Sequence, residues 1–277
     1  MQDLCNPFAL IRERLQTGGT CYYMPNGGNL GDCLIASSTI QSLDRYRIPW
    51  RYIRGNRDEV KPGDVLVYGG GGSLVSYYHG AIECLESLLR LGLDVIVLPQ
   101  TVNGHHDFWT LRRSITIFCR DSASLTYLSS FASTTSFFYH DMATLLDLTQ
   151  EPFSSVVRLH YALIASRSPS RLSVFRDDVE RMMPTQQSST DVAAVAFPSM
   201  YSTDIIHANS CILLAALAGH SKIYTDRLHV AIGASLLGIP VDLYDTCHQK
   251  NSSVYMSTLR YRYPLLRFRA PDDVPEI

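Results

Sequence analysis

Residues 222–245, KIYTDRLHVAIGASLLGIPVDLYD, carry the clearest pattern of secondary structure in this chain. Residues 222–226 are rich in β-forming side chains and predict a strand, and the apolar run from Leu228 to Leu237 predicts a buried helix. Residues 240–245 predict a second strand. A strand, a helix and a strand in this order are typical of a parallel sheet whose faces are covered by helices.

The same alternation extends along most of the chain. Further strands are predicted at residues 20–24, 64–69, 94–99, 114–119, 161–166 and 191–197. Helices are predicted at residues 32–46, 77–91 and 203–218, with another starting near Asp121 and a charged amphipathic segment at residues 172–183. The pattern breaks around residues 147–159, which are mixed, polar and contain a proline. The sequence therefore predicts two α/β domains, residues 1–150 and residues 151–277.

Composition excludes several functional classes. The chain has 277 residues, a formal net charge of −2 and 46% hydrophobic residues, which does not fit a disordered protein or one that binds nucleic acid through bulk charge. Three of the 24 basic residues are lysines, so arginine dominates. Guanidinium groups match carboxylate and phosphate oxygens, although codon bias also explains an excess of this kind.

The cysteines and the apolar stretches bear on location. Seven cysteines are scattered without a CxxC spacing, which predicts reduced thiols and neither a disulfide framework nor a zinc site. We see no signal peptide, and the apolar stretches are too short or too rich in glycine to span a bilayer. We expect a cytoplasmic protein, and peripheral contact with a membrane-bound substrate at the inner face stays open.

Four junctions between a strand and a helix are candidate ligand sites, because helix starts present unpaired N–H groups there. They are NGGNLGD at residues 26–32, YGGGGSL at 68–74, CRDS at 119–122 and TDRLH at 225–229. Asp32 fits either a helix cap or a base, and the four consecutive glycines favour close approach of the backbone to a ligand. Neither glycine turn is a GxGxxG or a P-loop, and Ser73 lacks a nucleophile elbow. Arg120 is either an arginine at the edge of the sheet where ligands bind or an ordinary surface arginine.

The fourth junction carries the most chemistry. Across a turn from strand to helix, Arg227, the Leu228 N–H and His229 can converge on one point. A guanidinium, a backbone N–H and an imidazole together suit a small dianion. A structural histidine is the alternative.

The set of motifs resembles the polysaccharide pyruvyl transferase family. The resemblance runs from about residue 25 to 255, and its most specific part is the TDRLH turn with the following helix and GIP. The other matching motifs are NLGD, GGGGS, LPQTV at residues 98–102, CRDSAS at 119–124 and HDMATLL at 140–146, followed by Lys250.

The resemblance implies two Rossmann-like lobes with parallel sheets, as in GT-B glycosyltransferases, and an active site in the interlobe cleft. It also implies transfer of the enolpyruvyl carbons of phosphoenolpyruvate onto two hydroxyls of one sugar, which gives a cyclic ketal and phosphate. The acceptor would belong to a bacterial exopolysaccharide or other cell-surface polysaccharide precursor, such as a lipid-linked oligosaccharide. Phosphoenolpyruvate is the co-substrate, and we expect no further cofactor, no metal and no nucleic acid.

The resemblance also suggests residue roles. His229 would protonate the methylene carbon, and Asp32, in the first lobe, would accept the proton of the attacking hydroxyl. Arg227 and the Leu228 N–H would hold one anionic end of the donor, and Arg120 or Arg167 the other. Acceptor and loop contacts would come from Asn29, Gly31, Gly70, Gly71, Gly72, Ser73, Gln100 and Lys250.

Two other functions stay open at this point. A GT-B glycosyltransferase that uses a nucleotide sugar shares the predicted architecture, since one scaffold hosts many chemistries. A non-catalytic assembly factor for polysaccharide export is the other. Four aromatic residues after ligand-edge turns fit either sugar stacking or core packing: Tyr77, Tyr78, Phe108 and Trp109.

Overall fold

The computed structural model describes residues 5–53, 60–110, 115–166, 170–182, 191–194, 200–247, 249–270 and 273. The chain divides into two compact units. The first unit comprises Met1–Asn26 and Ser38–Leu145, and the second comprises Gly27–Ser37 and Leu146–Ile277. Residues 27–37, which the sequence placed in the N-terminal domain, therefore group with the second unit.

The first unit is built on a seven-stranded parallel sheet. Its elements are α1 (Pro7–Arg14), β1 (Cys21–Met24), α2 (Leu30–Arg45), β2 (Trp50–Tyr52), β3 (Val65–Tyr68), β4 (Gly71–Val75), α3 (Gly80–Leu89), β5 (Asp94–Asn103), α4 (His106–Thr110), β6 (Ile115–Cys119), α5 (Ser122–Leu128), β7 (Thr134–Phe138) and a 3-10 turn (Met142–Leu145). The strand order is β2-β1-β3-β5-β6-β7, and β4 pairs with the second half of β5. The central strands are buried along their length, because helices cover both faces of a sheet of this kind.

The second unit is built on a four-stranded parallel sheet in the order β11-β10-β9-β8. Its elements are α6 (Phe153–Ser166), β8 (Ser170–Val174), α7 (Thr203–Leu217), β9 (His220–Thr225), α8 (Leu228–Leu236), β10 (Val241–Leu243), α9 (Lys250–Val254), a π-helical turn (Tyr255–Leu259), α10 (Arg260–Arg262) and β11 (Leu266–Phe268). The first turns of α2 belong to this unit.

Helix α8 is largely buried within the second unit. It is apolar on all sides, and residues 230–234 are buried, as expected for a helix surrounded by other elements. At Gly233 a Cβ atom would lie 3.3 Å from Leu214 and 3.4 Å from both Leu217 and Leu34. A small residue there thus lets α7 and the start of α2 pack closely against α8.

The predicted class, α/β with parallel sheets, is confirmed by the all-parallel pairing in both sheets. Most of the predicted strands and helices lie within a few residues of the observed ones. No helix among the described residues combines the length and the hydropathy needed to cross a membrane.

Three assignments in the second unit were wrong. Residues 161–166, predicted as a strand, form the last turns of α6, where Tyr161 and Ile164 are exposed and so do not belong to a buried strand. The predicted amphipathic segment at 172–183 starts inside β8, and its remaining described residues are not helical. Residues 191–194 of the predicted strand at 191–197 form a turn, and 195–197 lie outside the described residues.

Candidate anion-binding site

The start of α2 is held by reciprocal capping. The side-chain oxygen of Asn29 accepts the Gly31 N–H at 2.8 Å, and the carboxylate of Asp32 accepts the Asn29 N–H at 2.8 Å. A Cβ at Gly28 would lie 2.0 Å from that carboxylate, so glycine is needed there for Asp32 to fold back. This capping box is the first of the two roles that the sequence allowed for Asp32.

The start of α8 is held by Thr225 at the end of β9. Its hydroxyl accepts the Arg227 N–H at 2.9 Å and donates to the carbonyl of Val174 on β8 at 2.6 Å. Arg227 has extended backbone angles, φ −88° and ψ 109°, so the helix begins at Leu228. The first N–H groups of α8 therefore point out of the carboxyl end of the sheet, where the helix dipole favours an anion.

The two helix starts meet at Gly31 and His229. A Cβ at Gly31 would lie 2.7 Å from Cβ and 2.9 Å from Nδ1 of His229. The imidazole, half-buried, thus lies against the backbone of α2. The structure brings together Asn29, Gly31, Arg227, Leu228 and His229, as the glycine turn and the TDRLH turn suggested. It does so within the second unit, whereas the sequence placed Asp32 and its neighbours in the other lobe.

Arg227 is surrounded by carboxylates. Its Nε lies 3.1 and 3.2 Å from the two carboxylate oxygens of Asp191, and its Nη2 also pairs with Asp191. Asp178 lies 3.2 Å from the same Nη2. With only 6% of its surface exposed, the arginine is held in a fixed direction by these charges.

A chain of ion pairs extends this cluster to Lys250. Arg176 binds both oxygens of Asp178, at 2.8 and 2.9 Å, and lies 3.1 Å from Glu180. The second oxygen of Glu180 is 2.8 Å from Nζ of Lys250 at the start of α9. Lys250 therefore belongs to the same charged cluster as Arg227, through three intervening side chains.

Asp226 is the fully buried acid of this cluster. It accepts the Arg176 N–H at 2.8 Å. Burial raises its pKa from 3.8 to about 6, although the charges of Arg176 and Arg227 act in the opposite direction. A carboxyl group in this state is protonated over part of the range in which histidine titrates.

The glycine run of the first unit serves the sheet. Gly71–Val75 forms β4, which pairs with β5, and this corrects the prediction of a turn that runs through Gly70, Gly71, Gly72 and Ser73. Gln100, fully buried, donates to the carbonyl of Gly69 at 2.8 Å and accepts the Ser73 N–H at 3.3 Å. Gly71 has φ 142°, a backbone conformation that favours glycine. These contacts show that the run takes part in strand pairing, and its contact with a ligand stays a prediction from the sequence.

Arg120 does not reach an exposed edge, and its contact with the donor stays a prediction from the sequence. Only 1% of it is exposed. Its Nε donates to Thr101 at 2.9 Å and its Nη1 pairs with Asp141 at 2.6 Å. A strand-end position made the arginine a candidate, but the side chain turns inward to a buried carboxylate. Asp121, the next residue, caps α5. Arg167, the other candidate, lies outside the described residues.

The aromatic candidates separate into two pairs. Phe108 and Trp109 are buried in the core of the first unit, so the core-packing alternative holds for them. Tyr77 and Tyr78 are half-buried, with ring centroids 4.6 Å apart.

Sequence reasoning missed the carboxylates around Arg227. Asp178 and Glu180 lie in a stretch, RDDVE, that resembles an ordinary charged surface segment, and Asp191 opens an apolar run. No spacing links these residues to Arg227, because they lie far from it in the sequence. Among the described residues, no three His, Cys, Asp or Glu side chains are grouped so as to hold a metal ion.

Fold and site together define a Rossmann-like α/β protein in which an arginine, a backbone N–H and a histidine are presented at a helix start. The chain belongs to the polysaccharide pyruvyl transferase family, whose model matches residues 29–241. The family suggested by the sequence motifs is thereby confirmed.

The fold has a solved relative. A functionally uncharacterised protein from Klebsiella pneumoniae subsp. pneumoniae NTUH-K2044 is 25% identical, with a TM-score of 0.80 over 97% of this chain and 99% of that protein. No curated protein matches the chain.

Proposed function

We propose that this protein transfers the enolpyruvyl group of phosphoenolpyruvate to two hydroxyls of a sugar and forms a cyclic pyruvate ketal. Membership of the pyruvyl transferase family indicates a transferase. The observation that carries the finer proposal is the contact of the α2 start with His229, next to Arg227. A donor with a phosphate and a carboxylate on one small frame suits a guanidinium and two helix starts.

The proposed reaction has two bond-forming steps. His229, as imidazolium, gives its proton to the methylene carbon of phosphoenolpyruvate, while one sugar hydroxyl forms a C–O bond to the central carbon and loses its proton. The second hydroxyl then attacks the same carbon, and the bond to the phosphate oxygen breaks. Of the two hydroxyl protons, one leaves with the phosphate and one returns to the imidazole of His229. Histidine suits this work because its pKa lies near neutrality.

Arg227 and the Leu228 N–H would neutralise the anionic donor as phosphate leaves. Because Arg227 and Leu228 are buried, these interactions are stronger than in water. Asp32 enters this mechanism through its cap on Asn29, which fixes the α2 backbone against His229. Proton abstraction by Asp32 stays a prediction from the sequence, and so do acceptor contacts of Asn29, Gly31 and Lys250.

Phosphoenolpyruvate is the co-substrate in this proposal, and no further cofactor is invoked. The acceptor would be a sugar of a bacterial cell-surface polysaccharide precursor, and a lipid-linked oligosaccharide is the first candidate. A cytoplasmic location at the inner face of the membrane fits such an acceptor.

The proposal is tested by incubating the protein with phosphoenolpyruvate and lipid-linked oligosaccharides. We expect a pyruvate ketal adduct by mass spectrometry and an equimolar release of phosphate. Thermal denaturation with phosphoenolpyruvate, UDP-sugars and GDP-sugars separates this from a glycosyltransferase. Stabilisation by a nucleotide sugar and none by phosphoenolpyruvate would contradict the proposal.

A further inference from the structure

We propose that Asp191 is an internal competitor for the donor: its carboxylate occupies the Arg227 guanidinium until an anionic group of the donor displaces it. This inference rests on the proposed function, since it assigns Arg227 to the donor. It names a residue that sets donor affinity from a part of the chain outside the recognised motifs.

The geometry assigns Asp191 to Arg227. Both of its carboxylate oxygens lie within hydrogen-bond distance of the guanidinium, and only 7% of the Asp191 side chain is exposed. Asp178 touches the same nitrogen at 3.2 Å, but it has its own two-point partner in Arg176 and its side chain is 34% exposed. Asp191 is therefore the carboxylate that occupies the Nε–Nη2 edge of the Arg227 guanidinium, where a phosphate or carboxylate of a ligand would bind.

The turn that carries Asp191 also contacts the other helix start. The Ala194 N–H donates to the carbonyl of Asp191 at 3.1 Å, and the carbonyl of Ala193 accepts the Leu30 N–H at 3.3 Å. Leu30 is the first residue of α2, so its N–H has no partner within the helix. Residues 191–194 thus place a carboxylate on the Arg227 guanidinium and a carbonyl on the first N–H of α2. These are the two kinds of hydrogen-bond donor that we assign to the anionic groups of the ligand.

The charges of the described ion pairs favour departure of one carboxylate when a dianion binds. The described cluster contains three cations (Arg176, Arg227 and Lys250) opposite three carboxylates (Asp178, Glu180 and Asp191). Asp226 is additionally buried among them, and burial raises its pKa to about 6. A dianion that entered an already balanced, buried cluster would face uncompensated negative charge. Departure of Asp191 restores a positive charge at the point where the dianion binds.

The experiment measures binding of inorganic phosphate and of phosphoenolpyruvate by isothermal titration calorimetry. The variants are Asp191→Asn and, should that protein fold poorly, Asp191→Ser. Asp177→Asn is the matched control, because it removes the same charge from an exposed position near the cluster. If Asp191 occupies Arg227 nine-tenths of the time, its removal should tighten both ligands about ten-fold. Arg227→Ala in the Asp191→Asn background should abolish the gain, and Asp177→Asn should leave affinity unchanged.

Unchanged or weaker binding of both ligands by Asp191→Asn would overturn the inference, because Asp191 would then hold Arg227 in its active direction. In turnover, the competitor role predicts a lower KM for phosphoenolpyruvate without a higher kcat, and a positioning role predicts a lower kcat. Tighter phosphate binding by the variant, with no ketal formed by the wild-type protein, supports the inference and contradicts the proposed function. Ketal formation by the wild-type protein, with no tighter ligand binding by Asp191→Asn, supports the proposed function and contradicts the inference.

Discussion

Gly31→Ala tests the contact on which the site depends. The added Cβ would lie 2.7 Å from Cβ of His229, 2.9 Å from its Nδ1 and 3.0 Å from the side-chain oxygen of Asn29. Ordinary van der Waals contact begins at 3.4 Å, so the helix starts must separate by ~0.7 Å. Overpacking of this kind costs about 1–3 kcal/mol, and the higher helix propensity of alanine offsets at most about 1 kcal/mol of it.

We expect a lower free energy of unfolding and a lower transition temperature, by about 2–4 °C for each kcal/mol. Turnover of phosphoenolpyruvate should fall about 10- to 100-fold, because displacement of a catalytic group by about 1 Å has an effect of that order. Gly27→Ala is the matched control: its Cβ would have no atom within 4 Å. Differential scanning calorimetry and a phosphate-release assay measure the two effects. Wild-type stability and turnover in Gly31→Ala would refute the argued contact between α2 and His229.

Two further predictions concern buried charges. Arg120→Met leaves the buried carboxylate of Asp141 without its partner and should lower the free energy of unfolding, measured by urea titration, by about 3–5 kcal/mol. Arg158→Met is the control, because it removes an exposed ion pair and should leave the urea midpoint unchanged. Equal midpoints for the two variants would contradict the internal role of Arg120. The pKa of Asp226 is raised from its ordinary value of 3.8 to about 6 in the folded state. Between these two pH values the folded protein binds one more proton at Asp226 than the unfolded protein does. The free energy of unfolding therefore falls as the pH rises from about 4 to about 6. Asp226→Asn should remove about 1–3 kcal/mol of this decline between about pH 4 and about pH 6, and identical pH profiles of unfolding for variant and wild type would refute the assignment.

The fold was largely predictable, because its central strands and helices differ in period and length. Helix α8 is apolar on every side and is bounded by Arg227 and Gly238, so its position followed from composition alone. The errors fall where a short apolar run has no clear period. Residues 161–166 fit a buried strand and the end of a helix equally well, and only tertiary packing decides between them.

The candidate site was predictable to the extent that it is local in sequence. Arg227 and His229 flank the junction of β9 and α8, as the sequence indicated, and the convergence of their side chains stays a prediction. The carboxylate on Arg227 comes from 36 residues away, and no local pattern marks Asp191 as its partner. For Arg120, the sequence indicated a position at the end of a strand, at the edge of the sheet. It did not indicate that the side chain turns inward and is buried.

The central claim, that His229 delivers the proton to phosphoenolpyruvate, is tested most directly by the rate of acceptor-dependent phosphate release in His229→Asn. His106→Asn is the matched control, because His106 is an exposed histidine of the first unit. We predict that His229→Asn folds normally and loses about 10²- to 10⁴-fold in rate, as expected for a general acid, while His106→Asn keeps the wild-type rate. A folded His229→Asn protein that releases phosphate at the wild-type rate would contradict the account.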